Sequence, residues 1–256
     1  MEPEASAEVS LGDLDRWQAA AAATRAGPPG CWEIGGSVAL TASSDAPASR
    51  WTRGGPEEHA FVGSFLGRLD GGRWTAFTYD LSPADRPGEP AELDLPLFPT
   101  IGHIDPGVVR RTNPSEDGTR VEVGSGEAVN LLNEVLDELN PATATAYVER
   151  DQARGDVVLY EDIPVSRASR SDVVTVTTRF AGGGAASEVR AVFPRRWRAG
   201  EWPLRIGVYD AQLQVAVDPR GLPTVDALSF GVGALGMTFG YAQTLTVTRA
   251  EPCTGP

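Results

Sequence analysis

The first apolar positions recur at helical spacing. Leu11, Leu14, Trp17 and Ala21 share one side of a helix, and the alanine run at 19–23 is strongly helix-forming. Ser10 stands where an N-cap belongs, with Asp13 following in the sense of a capping box, and Gly27-Pro28-Pro29-Gly30 ends the helix. From Cys31 the period changes to two. Ile34, Val38 and Leu40 predict a strand, interrupted at Gly35-Gly36 by a bulge or bend. Residues 60–69 and 73–81 read as a hairpin turning on Asp70-Gly71-Gly72. Gly63 and Gly67 lie between Phe61, Phe65 and Leu69, where missing side chains allow close packing.

Residues 82–118 hold seven prolines and no clear period, yet Leu93, Leu95, Leu97, Phe98, Ile101 and Ile104 are too apolar for a free tether. The expectation is an extended segment lying over a surface. A second amphipathic helix is predicted at 126–139, with Leu131, Leu132, Val135, Leu136 and Leu139 on its apolar side and Asn140-Pro141 ending it. Everything beyond reads as strand and turn: 143–149, 156–163, 172–181, 188–193, 204–218, 224–231 and 235–248. Successive strands without intervening helices imply antiparallel pairing.

These elements predict a mainly β (α+β) fold. A strongly curved or part-closed antiparallel sheet would be covered by the N-terminal helix and the one central amphipathic helix. Residues 1–9 read as a disordered acidic tail and 10–256 as a single domain. The order of elements resembles that of the curved-sheet-plus-helix carriers that hold acyl chains in the bacterial envelope. That is an analogy of element order, with no shared motif.

Charge narrows the chemistry. All 22 basic residues are arginine. Without lysine there is no Schiff base, no Walker-type phosphate lysine and no Ser-x-x-Lys nucleophile. The net charge of −13 speaks against sequence-independent nucleic-acid binding. Cys31 and Cys253 lie near the two ends of the chain, with no metal-site spacing. They are either two small buried hydrophobes or one disulfide. The proline-flanked tail position of Cys253 favours the bond, and Cα atoms within about 7 Å are required for it. The start MEPEASAEVS has no export pattern, which taken literally means a cytosolic chain. The cysteines favour the other expectation: an extracytoplasmic protein, periplasmic, envelope-tethered or secreted, whose export signal is absent from this chain.

The motifs are mostly dull. Gly231-Val-Gly233-Ala-Leu-Gly236 spells the dinucleotide fingerprint but leads into the clearest strand of the chain, where a helix would be needed. Asn113, Ser115, Asp117 and Gly118 imitate half a calcium loop, with Gly124 where the bidentate Glu belongs. His59 and His103 each have a nearby acid but no mutual spacing, so solvated or locally bonded histidines are the plain reading. The densest chemistry is Phe193 to Pro203, where Arg195, Arg196 and Arg198 interleave with Trp197 and Trp202. It could stack on a sugar or grip an anionic headgroup, or simply pair the two tryptophans across a hairpin.

The functional expectation is a non-enzymatic extracytoplasmic protein binding an apolar or amphipathic, lipid-like ligand in the concavity of the sheet. Its candidate ligand contacts are Leu132, Leu136, Arg196, Trp197, Arg198 and Trp202. The alternative is a structural, adhesive or protein-interaction module with a filled core. A third is a hydrolase using a carboxylate or histidine site. No cofactor, metal or nucleic acid is expected. No apolar run is long enough for a membrane span, and a peripheral membrane contact is compatible with the pattern.

Overall fold

The computed structural model describes residues 11–44, 57–87, 110–111, 119–123, 144–164, 173–194, 196–197, 207–234 and 237–254. Among the described residues one α-helix, α1 (Leu11–Ala26), precedes thirteen strands. These are β1 (Cys31–Ser44), β2 (Glu57–Asp70), β3 (Arg73–Pro83), β4 (Arg110–Arg111), β5 (Thr119–Val123), β6 (Thr145–Asp151) and β7 (Asp156–Pro164). They continue as β8 (Val173–Phe180), β9 (Ala186–Val192), β10 (Arg196–Trp197), β11 (Gly207–Val217), β12 (Pro223–Ala234) and β13 (Met237–Pro252). All pairings are antiparallel and all strands join one open sheet, ordered β4-β5-β3-β2-β1-β13-β12-β11-β9-β8-β7-β6, with β10 beside β11. The mainly β, one-sheet expectation holds, and so does the N-terminal helix. The central helix expected at 126–139, with Leu132 and Leu136, lies outside the described residues, as does Ser10.

Local chemistry explains the joints. Gly71 and Gly72 both carry positive φ in a two-residue turn, the backbone that suits the twist of a hairpin. Register shifts between Gly35 and Gly36, so the expected bulge is present. A Cβ on Gly63 would collide with the carbonyl of Asp80, so the close packing expected there is real. Gly27 ends α1 in the left-handed region and rests on Gly72 of the hairpin turn.

The pairing also departs from the sequence reading. Arg110–Arg111, inside the stretch read as merely extended, forms β4 against β5, a strand the apolar pattern does not announce. β4 is two arginines and β5 only five residues with two valines, Val121 and Val123, and β5 is recruited by β3 through backbone bonds that carry no sequence signal. Trp197 pairs in register with Val208 of β11, while Trp202, its expected partner across a hairpin, lies outside the described residues. Gly231 to Ala234 close β12 and Met237 opens β13, which leaves the glycine motif in and between strands as expected.

One row of inward side chains crosses seven strands: Val38, Leu245, Asp226, Val215, Val189, Thr178 and Leu159, each beside the next in register. None is more than 4% exposed. On the β6–β9 side this face carries α1. Trp17 and Ala21 are buried among Val157, Leu159 and Phe180, with the Trp17 and Phe180 rings 4.7 Å apart. On the other side Ile34, Phe65, Leu69, Trp74 and Leu81 cluster with Leu245.

Candidate functional site

The sheet is rolled, and this creates the interior where a site would form. Trp74 on β3 donates Nε1–H to Asp226 Oδ2 on β12 at 3.1 Å. Three strands, β2, β1 and β13, separate the two. Tyr79 on β3 likewise donates its hydroxyl to Gln243 Oε1 on β13 at 3.2 Å, across β2 and β1. Asp226, Gln243 and Thr178 are buried polar groups on the apolar face. Buried polar groups cost free energy unless they are hydrogen-bonded, which the two side-chain pairs achieve. Thr178 Oγ1 accepts and donates nothing within the structure.

The C-terminal end of α1 reaches the same interior. Arg25, in the last helical turn, pairs with Glu161 Oε2 of β7 at 2.7 Å, and both side chains are largely buried. A cation in that turn also suits the negative end of the helix dipole. Beside this pair, Thr24, Pro28, Trp74, Val189, Val215 and Pro223 line a cleft of about 20 Å³. That is room for about one water.

This end of the sheet, the base, is also where the chain closes. Cys31 and Cys253 sit at disulfide distance, with Cα atoms 5.3 Å apart. They continue the register that pairs Trp32 with Pro252, and Cys253 N–H donates to Cys31 O at 3.0 Å. The expected bond therefore joins neighbouring strands from opposite ends of the chain. Next to it, Asp218 orders the β11–β12 turn by accepting from the backbone of Arg220 and Leu222 and from the Arg220 guanidinium. Arg220 in turn lies 5.7 Å from the Trp32 ring. Burial pushes the Asp218 carboxyl up, but these hydrogen bonds outweigh it and hold it below its ordinary range.

A second charged cluster closes the β6–β7 and β8–β9 turns. Arg179 Nη1 bridges Asp151 Oδ2 at 3.0 Å and Asp156 Oδ2 at 3.1 Å, while Asp156 Oδ1 accepts from Gly182 N–H. The Arg179 hydrogen bond lowers the carboxyl of Asp151, and the Gly182 amide followed by Arg179 lowers that of Asp156. This cluster is a turn lock.

Of the candidate ligand contacts, Arg196 and Trp197 form β10, at the end of the sheet opposite the base. Arg198, Trp202, Leu132 and Leu136 lie outside the described residues, as do His103 and the calcium-like turn at 113–118. His59 is on β2, opposite Ala42. Among the described residues no group of three or more His, Cys, Asp or Glu could hold a metal ion, and no helix is long and apolar enough to cross a membrane. The sequence reading missed Glu161, Thr178 and Asp226. Their signal was in view: each is a polar residue on the apolar phase of a strand, as Asp226 is with Leu228 and Phe230. No protein-family model, curated protein or solved structure matches the chain.

Proposed function

We propose that this chain is a non-enzymatic interaction module whose interior is filled by its own side chains and which works through its surface. The observation that supports this is the inward row from Val38 to Leu159, buried on seven successive strands, beside a cleft of only about 20 Å³. Sites for drug-sized ligands need about 300 Å³ or more. The Cys31–Cys253 pair supports an oxidising, extracytoplasmic setting.

A second reading is favoured by shape. A sheet rolled far enough for Trp74 to reach Asp226 has a concave apolar face, and an apolar or amphipathic ligand would be held there. Leu132, Leu136, Arg196, Trp197, Arg198 and Trp202 are its proposed contacts.

One experiment separates the two. The purified chain is titrated with a fluorescent fatty-acid probe, and its native mass is measured before and after delipidation. The filled-module reading expects no saturable binding and one unchanged mass. Saturable binding displaced by a lipid extract, with a mass lost on delipidation, would overturn it in favour of the carrier.

A further inference from the structure

The two edges of the open sheet are unlike. One ends in β4, which is two residues long. The other is β6, seven residues in unbroken register with β7, with no proline and no bulge. Short strands, prolines and bulges are how sheets blunt their edges, and β6 has none of these. Among the described residues its only strand partner is β7, so the backbone groups it turns outward have no strand beside them there. Side chains single out the same edge. Val62, Leu66, Tyr147 and Val192 are the exposed large apolar residues among those described. The strands of Val62, Leu66 and Val192 are paired on both sides, whereas Tyr147 stands on β6. Tyr147 faces Tyr160 of β7 in register, with ring centroids 4.8 Å apart and planes at 11°. That distance is the spacing of neighbouring strands. Tyr160 thus covers one face of the Tyr147 ring, and the other face looks past the edge, where one more strand would place a ring. On the opposite side of β6, Ala146 and Val148 are only partly buried where they pack on the Trp17 cluster, as is Leu14 of α1.

We propose that the partner of this edge is a second copy of the chain, joined β6 to β6 in antiparallel fashion about a two-fold axis at Tyr147. An axis normal to the sheet keeps both faces continuous, so inward residues pair with inward ones and outward with outward. In that register Tyr147 meets Tyr147, Ala146 meets Val148, Thr145 meets Glu149 and Ala144 meets Arg150. No like charges face each other, and the tyrosine stack continues from Tyr160 and Tyr147 of one copy into the same pair of the other. Neighbouring registers are worse. Centred on Val148, each Tyr147 meets Glu149 and the rings lose their partner; centred on Glu149, two carboxylates face each other. A foreign strand could make the backbone bonds, but ring on ring and the balance of charge come with the chain's own sequence. As a partner for the surface of the module proposed above, the second copy rests on that reading, yet the two fail separately. Mass reports the pairing, whereas probe binding reports the interior.

The test is sedimentation equilibrium of the full chain over a wide range of concentration, where a monomer–dimer equilibrium is expected. Tyr147→Glu removes the stack and sets like charges face to face, and should weaken association at least about tenfold. Leu66→Glu, on an exposed apolar residue of an inner strand, should leave it unchanged. Cysteine cross-linking reads the register. Tyr147→Cys should form a covalent dimer on mild oxidation, since facing Cα atoms lie about 5 Å apart. Glu149→Cys should not, because its counterpart lies about four residues along the strand, roughly 13 Å away. If Tyr147→Glu does not fold, the two cysteine variants decide. A monomer at every concentration, association indifferent to Tyr147→Glu, an equal loss in Leu66→Glu, or equal cross-linking at 149 and 147 would each overturn the proposal.

Discussion

The indole of Trp74 and the carboxylate of Asp226 meet at 3.1 Å although three strands lie between β3 and β12. In a flat sheet four strand spacings amount to about 19 Å, farther than the two side chains can jointly reach. The bond is therefore a measure of the roll. Replacing Trp74 by Phe keeps the ring and removes the donor. Taking the donor away from a buried oxygen costs about 1–3 kcal/mol, so Trp74→Phe should lower the urea unfolding free energy by that amount. A double-mutant cycle with Asp226→Asn should return a coupling of the same sign; additive losses would show that the pair does not hold the roll.

Thr178 predicts the opposite sign. Its hydroxyl is fully buried with no hydrogen-bond partner, between Leu159 and Val189. Thr178→Val keeps the branched shape and removes the desolvated group, so stability should rise by about 1 kcal/mol. A loss of stability on denaturant titration would mean that the hydroxyl has a partner.

Two neighbouring glycines should respond unequally. Gly71 and Gly72 both have positive φ, but a Cβ on Gly71 meets open space while one on Gly72 would strike the Ala26 carbonyl. Gly71→Ala should cost about 1–2 kcal/mol, the left-handed penalty alone. Gly72→Ala should cost distinctly more and loosen the end of α1, visible as faster amide exchange at residues 24–27. Equal costs would mean that helix and hairpin turn do not touch.

Acid stability should show the Arg179 lock. Asp151 and Asp156 have folded-state pKa values below their unfolded ones, so the stability they confer is fully present above about pH 4 and is lost as pH falls through the lower folded values. Arg179→Gln should therefore be less stable than wild type at neutral pH, and the gap should narrow below about pH 4. A gap constant from neutral pH to pH 2, read from urea midpoints, would contradict the lock.

The disulfide closes a separation of 222 residues. In the chain-entropy model such a loop restricts the unfolded state by about 5 kcal/mol. Cys31→Ser with Cys253→Ser should lower the urea midpoint by a corresponding amount, and a reducing agent should do the same to the wild type alone. A midpoint indifferent to both would show that the thiols are not joined.

Within each strand, the sequence by itself determined which residues face inward, because side chains alternate and a one-residue slip would expose the apolar set. The hairpin at Gly71-Gly72, the bulge at Gly35-Gly36, the strand after the Gly231 motif and the closeness of Cys31 to Cys253 were all legible from local chemistry. Short β4 and β5 were not: β4 is two arginines, and the two alternating valines of β5, Val121 and Val123, are too few to mark a strand. Strand order and roll were decided only in three dimensions. The pairing of β1 with β13 rests on backbone hydrogen bonds, which any sequence can make, and on how the inward volumes fit once distant strands meet. That fit alone places Trp74 on Asp226, shrinks the base cleft to the size of a water, and sets β10 at the end of the sheet farthest from the disulfide.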